Sequence, residues 1–241
     1  MELDSLSNIY NGSSLYQYDN KIILDRYPKQ VLNNFLGRGS LLELGLGHGF
    51  SAQAFAKQFD SDTVIEGSIK VIEQHAELLK ENNIEVIHSY FENFETAEKY
   101  DLIVAGFVLE HVENPKVIVK KYLQLLSPGG LFVIAVPNSD SLNRRIGFHA
   151  GLLQDIKMLS EHDKELGHLR YFDRDNLIEL IEGAGGRVQF LEGIFLKVAS
   201  STQLQEMQLD SSIVESYCEV AINYPELSCA ILAGISPSIH I

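Results

Sequence analysis

Cysteine is scarce in this chain: Cys218 and Cys229 are the only two, too few for a disulfide framework or a cysteine-built metal cluster. Both are expected reduced and buried, which suits a cytoplasmic location. No apolar run reaches the ~18 residues that a membrane-spanning helix needs, so a membrane is not an expected partner. The opening residues Met1-Glu2-Leu3-Asp4 are acidic and lack the basic-then-apolar layout of a secretory signal. Positive charge is short as well. The 19 Lys and Arg stand against 33 Asp and Glu, for a net charge of −14. Binding to nucleic acid draws on clustered Lys and Arg that neutralise phosphates, and Lys120-Lys121 and Arg144-Arg145 are the only adjacent basic pairs. A diffuse negative field repels polyanions. DNA, RNA and anionic lipid are therefore not expected partners. Internal repeats and low-complexity segments are missing too.

What the chain does have is Leu41-Leu42-Glu43-Leu44-Gly45-Leu46-Gly47-His48-Gly49-Phe50. It reads as a buried strand carrying an acid near its end, then a tight glycine turn, then the start of a helix at about Ser51. Glycines at i, i+2 and i+4 let the backbone turn sharply and approach a ligand closely. The spacing is G-x-G-x-G, not the G-x-G-x-x-G of dinucleotide-binding proteins. Thr63-Val64-Ile65-Glu66 follows, a β-branched run ending in a carboxylate 23 residues beyond Glu43. An acid at the tip of a second parallel strand is where doubly wound folds hold a ribose diol. A carboxylate can accept from both hydroxyls at once. Glu66 is thus the expected ribose ligand, with Gly67 and Ser68 beside it.

The E-x-G-x-G-x-G pattern closely resembles the opening of the S-adenosylmethionine site in the seven-stranded class I methyltransferases. The resemblance spans residues 38 to 137. Ile84 to Ser89 reads as the third strand, and Tyr90-Phe91-Glu92 falls where that family places its adenine contacts. The string YDLIVAGFVLEHV, Tyr100 to Val112, is similar to the fourth-strand signature of the ubiquinone-biosynthesis O-methyltransferase group. Ser127-Pro128-Gly129-Gly130-Leu131 matches its turn into the fifth strand. The resemblance implies S-adenosylmethionine as cofactor and S-adenosylhomocysteine as product. It also implies that Glu43 holds the methionine ammonium, directly or through water, behind Gly45, Gly47 and Gly49. Phe91 would stack on or edge the adenine, and Glu92 or its neighbouring backbone would read the exocyclic amine. Gly106 and Phe107 would stand at the fourth strand's tip, and Tyr16 or Tyr18 would reach the methionine end unless they only pack the cap.

Strand–helix alternation along the chain supports a doubly wound α/β fold, a seven-stranded, mostly parallel, Rossmann-like sheet. Ser68, Asn114 and Asp173 are expected helix caps, the second followed by a first-turn proline. The helix from Ser51 is expected to run to Phe59, and the one from Ser68 to carry Ile69, Ile72, Ala76 and Leu79 on one face. A sixth strand is expected over 187–191 and a seventh over 228–233. The whole chain, 1–241, is read as one domain. Residues 1–37 form a helical cap, 38–137 the cofactor-binding core, and 138–172 and 197–225 are lid insertions that enclose the acceptor.

Those lids should decide what is methylated. His168 lies in Gly167-His168-Leu169-Arg170-Tyr171-Phe172, which resembles an H-x-R-x-F element of the same group. An imidazole titrates near ~6.5 and can take a hydroxyl proton at neutral pH. His168 is one candidate base, and the alternative is that it and Arg170 tie the lid to the sheet. His111, just past the fourth strand, is the rival base or a structural residue. No His and carboxylate set has a metal-binding spacing, so no metal is expected. The expected acceptor is a small molecule methylated on a hydroxyl oxygen. Methylation of N or C, or a catalytically silent cofactor-binding protein, stays open, as does a homodimer.

Overall fold

The computed structural model describes residues 18–238. Tyr16 lies outside them. Five strands, β1 (Ser40–Leu44), β2 (Ser61–Glu66), β3 (Glu85–His88), β4 (Tyr100–Gly106) and β5 (Leu126–Pro137), run parallel. β6 (Gly186–Gly193) and β7 (Ala230–Pro237) complete the sheet, with β7 antiparallel between β5 and β6. The strand order is β3-β2-β1-β4-β5-β7-β6. Seven strands, mostly parallel, are what the alternation implied. The order reverses between β1 and β4, and ligands of doubly wound sheets bind at such a point, beyond the carboxyl ends of the strands.

The central strands are apolar throughout because both faces are covered. Leu102, Ile103, Val104 and Ala105 of β4, and Phe132 to Val136 of β5, are fully buried. On one face, α5 (Pro115–Leu123) and α8 (Arg174–Gly183) pack Ile118, Tyr122, Leu177 and Ile181 against Ile103, Phe132 and Ile134. The opposite face carries the cap helix α1 (Tyr18–Asn34), whose Ile23, Tyr27 and Val31 cover Leu41, Val104 and Val133. The caps form as read: Asn114 Oδ1 accepts from Val117 N–H, Ser68 Oγ from Val71 N–H, and Asp173 makes a reciprocal capping box with Asn176.

Several elements depart from the sequence expectation. The helix after the glycine turn, α2 (Phe50–Phe55), is one turn shorter than expected. Its end tightens through Gln58 N–H to Phe55 O, so that Asp60 N–H can reach Arg38 O at the start of β2. The helix from Ser68 is two pieces, α3 (Ile69–Gln74) and α4 (Ala76–Glu81), broken at His75. The ring Nδ1 of His75 lies 2.9 Å from Val71 O, so the side chain competes for the carbonyl that its own backbone would use. The last strand sits two residues later than expected at its start and runs antiparallel. Short-range pattern does not record that direction. Helices α6 (Leu142–His149) and α7 (Glu161–Glu165) lie between β5 and α8, and α9 (Ser201–Glu206) and α10 (Ser211–Ala221) between β6 and β7.

Two buried carboxyls underlie the turn. Glu43 on β1 and Asp62 on β2 are 1% and 6% exposed, and Glu43 Oε2 and both Asp62 oxygens have no hydrogen-bond partner. Burial raises Asp62 to about 7. The folded chain thus holds a proton that the unfolded chain releases near pH ~4, and stability falls as pH rises from there through 7. Asp62→Asn should raise the melting temperature at pH 8 and change it little near pH 4. Equal shifts at both values in a melting series would contradict this.

Candidate active site

A single cavity of about 1280 Å³ lies across the carboxyl ends of β1, β2, β4 and β5. That exceeds the ~300–1,000 Å³ of a site for one drug-sized ligand, so two small molecules can occupy it together. At one end is the glycine turn. Gly45, Gly47 and Gly49 all have left-handed φ, at +83°, +50° and +74°, which only glycine adopts without strain. Gly45 N–H donates to Ile65 O at 2.8 Å and Gly49 N–H to Leu46 O at 2.8 Å, which ties the turn to β2 and closes it. Gly45 and Gly47 line the cavity. Gly49 does not: a Cβ there would lie 2.9 Å from the His75 ring, so it lets the turn pack on the helix behind.

Glu66 lines the same end, its carboxylate fixed by the chain around it. Oε2 accepts from Leu46 N–H at 2.9 Å and Oε1 from Ser68 N–H at 2.8 Å. Each oxygen keeps a second lone pair, so a buried, oriented, two-pronged acceptor remains for a diol. Gly67, Ser68, Phe91 and Glu92 line the wall beside it, Phe91 with its carbonyl held by the Tyr122 hydroxyl at 3.0 Å.

Glu43 is placed differently from the expectation. Alternation along β1 points Leu42 and Leu44 to one face and Glu43 to the other, under α1. Glu43 is not on the cavity wall and stands behind the turn. Its carboxyl bonds to Ser51, which does line the wall, and it lies near Tyr27 and Asp62.

Gly106 and Phe107 stand at the tip of β4, as expected, and both line the cavity. A Cβ on Gly106 would fall 2.7 Å from the Tyr27 hydroxyl, so the glycine admits the cap helix. Phe107 has φ +58°, a strained value for a non-glycine residue. Its N–H donates to Ala135 O at 2.8 Å, and its ring meets Tyr27 edge-on at 5.5 Å between centroids.

Toward the lid the cavity wall carries His111 and His168, their ring centroids 4.8 Å apart. His168 Nδ1 lies 3.5 Å from Asp163 Oδ1. Asp163 is itself held by Ser160 N–H at 2.7 Å, by the Ser160 hydroxyl, and by the Tyr171 hydroxyl at 2.6 Å. Burial opposes its ionisation, but the nearby His168 ring and the hydrogen bonds from Ser160 and Tyr171 prevail and hold it well below the usual carboxylate range. His111 is different: burial, with His168 alongside, lowers it to about 4, and its Nδ1 is 3.3 Å from Gly167 O. Arg170 ties its segment to the chain that follows β4, donating to Val112 O at 2.5 Å and to Glu113 O at 3.1 Å.

Sequence reasoning passed over Glu110, Asp163, Asp19 and Lys197, all of which line the cavity. Glu110 is 1% exposed with both carboxylate oxygens unpartnered, and burial raises it to about 7. Glu110, His111 and His168 offer ligand atoms within 4.8 Å of one another, a grouping that could hold a cation where none was expected. Its signal was present as the adjacent pair Glu110-His111. No helix among the described residues is long and apolar enough to cross a membrane.

A doubly wound sheet, a left-handed glycine turn at its switch point and an oriented acid on the second strand define a nucleoside-binding enzyme core. Residues 16–189 match the model of the methyltransferase domain, and the chain belongs to that family. It is 22% identical over 203 residues to the ubiquinone biosynthesis O-methyltransferase of Rickettsia canadensis (strain McKiel), covering 82% of this chain and 83% of that one. Over 142 residues it is 29% identical to the (S)-coclaurine N-methyltransferase of Papaver somniferum, covering 52% of this chain and 40% of the other. The N-methyltransferase NodS of Bradyrhizobium japonicum WM9, solved with S-adenosyl-L-homocysteine, shares the fold at TM-score 0.60 and 16% identity. That likeness covers 97% of this chain and 96% of that one. The protein is a class I methyltransferase, and S-adenosylmethionine is its cofactor.

Proposed function

We propose that the enzyme methylates a hydroxyl oxygen of a small acceptor enclosed beneath the cap and lids. The observation that carries this reading is His168, on the lid wall of the shared cavity with Asp163 at its Nδ1. The bound cofactor supplies a methyl group on a positively charged sulfur, so its departure needs no acid. The chain's own task is to align the acceptor, exclude water and take a proton where the acceptor is an unactivated hydroxyl. Asp163 lies 3.5 Å from Nδ1, which makes no hydrogen bond, and its charge would favour the protonated ring once His168 accepts that proton. At the other end of the cavity, Gly45, Gly47, Glu66 and Phe91 are proposed to hold the nucleoside. The net charge of −14 supports a small acceptor over a polyanion, with the cytoplasm as its setting.

Kinship leaves the methylated atom open, since one relative is named an O-methyltransferase and another an N-methyltransferase. Methyl-labelled cofactor, incubated with the enzyme and a metabolite extract, should yield one dominant labelled product with the label on oxygen. A label on nitrogen overturns the reading. The partnerless oxygens of Glu110 favour a second mechanism, in which Glu110, His111 and His168 hold a divalent cation that lowers the acceptor's pKa. Turnover surviving exhaustive dialysis against a chelator supports the base. Turnover lost there and restored by a divalent ion supports the cation.

A further inference from the structure

On the cavity wall the buried Asp19 is balanced by Lys197, whose Nζ donates to its Oδ2 at 2.7 Å. Glu43 and Asp62, behind the glycine turn, have no such partner. Across β1 and β2, Leu41 pairs with Asp62 and Glu43 with Val64, so the two carboxyls are diagonal neighbours on one face of the sheet. Glu43 Oε2 and both Asp62 oxygens are buried and accept from nothing. The groups that face Glu43 are Tyr27 from α1, Ser51 from α2 and Asp62 from β2, while β4 pairs with it at the apolar Val104. No cation is among them.

Two neighbouring carboxyls, out of water and without a counter-ion, cannot both stay ionised. The pair therefore keeps a proton near neutral pH, held by the two residues as a unit. Burial raises both carboxyls, Asp62 to about 7.

The missing counter-ion is one that the ligand can bring. S-adenosylmethionine and S-adenosylhomocysteine both carry an ammonium at the methionine end. Ser51 is bonded to the Glu43 carboxyl and also lines the cavity, as Gly47 and His48 do. A hydroxyl gives one hydrogen bond and accepts others, so Ser51 can donate to an ionised Glu43 and accept from the ammonium. Cation and carboxylate then stand two hydrogen bonds apart, about 5–6 Å, near enough for the opposite charge to favour ionisation. We propose that cofactor binding is coupled to the Glu43–Asp62 pair, which releases a proton to solvent as the ammonium arrives at Ser51.

Cofactor affinity should then rise with pH. The free protein holds a proton that the complex lacks, so Kd falls as pH rises and levels off above the titration of the free pair, near 7. The coupling rests on the reading that Gly45, Gly47 and Glu66 hold the nucleoside, but the two fail separately. Wild-type affinity in Glu66→Ala removes that reading, whereas this coupling is read from protons. Titration calorimetry of the full chain with S-adenosylhomocysteine, at about pH 6.5 in buffers of different ionisation enthalpy, counts the protons exchanged, and the ligand ammonium stays protonated there. The wild type should release roughly half to one proton per ligand, and its Kd should fall about threefold or more between pH 6 and 7. Glu43→Gln with Asp62→Asn keeps the shape of two protonated acids. That double variant should fold, bind without releasing a proton, and show a Kd that is flat over the same range. If it does not fold, each single variant should lower the proton count. The proposal is overturned if the wild type releases no proton or takes one up. It is equally overturned if the variants release as many as the wild type, which would put the source elsewhere, as at Glu110 on the cavity wall.

Discussion

Glu66→Ala should weaken S-adenosylhomocysteine binding by about 1.5–3 kcal/mol, the usual loss for hydrogen bonds to a charged group, or roughly ten- to a hundredfold in Kd. The structure explains why the effect is this large and local. Both carboxylate oxygens are already aimed by Leu46 N–H and Ser68 N–H, so no ordering cost falls on the ligand. Removing the side chain also frees two backbone N–H groups at the cavity wall, where water can reach them. The melting temperature of the unliganded protein should therefore fall little. Glu66→Gln is the sharper control. Its amide nitrogen would have to face one of those two N–H donors, so shape alone cannot restore affinity. Calorimetric titration of the two variants decides the point: wild-type affinity in Glu66→Ala removes the ribose assignment. Affinity recovered in Glu66→Gln would show that charge and lone-pair count do not matter there.

Glu66 and the glycine turn were legible because their chemistry is local. Three glycines at alternate positions, and an acid at a strand tip, each announce a backbone requirement within a few residues. The caps at Asn114 and Asp173 were legible for the same reason. Glu43 shows where local pattern stops. It belongs to the same motif, yet strand alternation turns it off the cavity wall, beneath Tyr27 and against Asp62. Which face of β1 meets the cap helix is settled by packing of α1, a segment the motif does not contain. The break at His75 and the reversal of β7 are likewise decided by competing carbonyls and by strand pairing. Asp19 and Lys197 are 178 residues apart in sequence, and neither carries a signal pointing to the other. Lys197 is at least conspicuous, a lone charge in the apolar run Ile194 to Val198.

The histidines were legible as residue types but not as an order of importance, and here the structure separates them. His168→Ala should lower kcat by ~10²–10⁴, the range for loss of a general base, with S-adenosylhomocysteine affinity preserved because the glycine turn and Glu66 are at the other end of the cavity. His111→Ala should cost far less. Burial and the neighbouring ring lower His111 to about 4, which makes it a poor proton acceptor at neutral pH. Its ring packs edge-on against His168, and its Nδ1 lies 3.3 Å from Gly167 O. Asp163→Asn should fall between the two. It keeps the contacts with Ser160 and Tyr171 in shape but withdraws the charge that stabilises a protonated His168. The three variants, assayed for kcat and for cofactor affinity on the acceptor recovered by labelling, therefore make a ranked series. Equal losses in His111→Ala and His168→Ala would argue that the two rings act as one unit, as cation ligands do. Near-normal turnover in His168→Ala would mean that the acceptor gives up its proton unaided. An amine, which can shed its proton after attack, would then replace the hydroxyl as the group methylated.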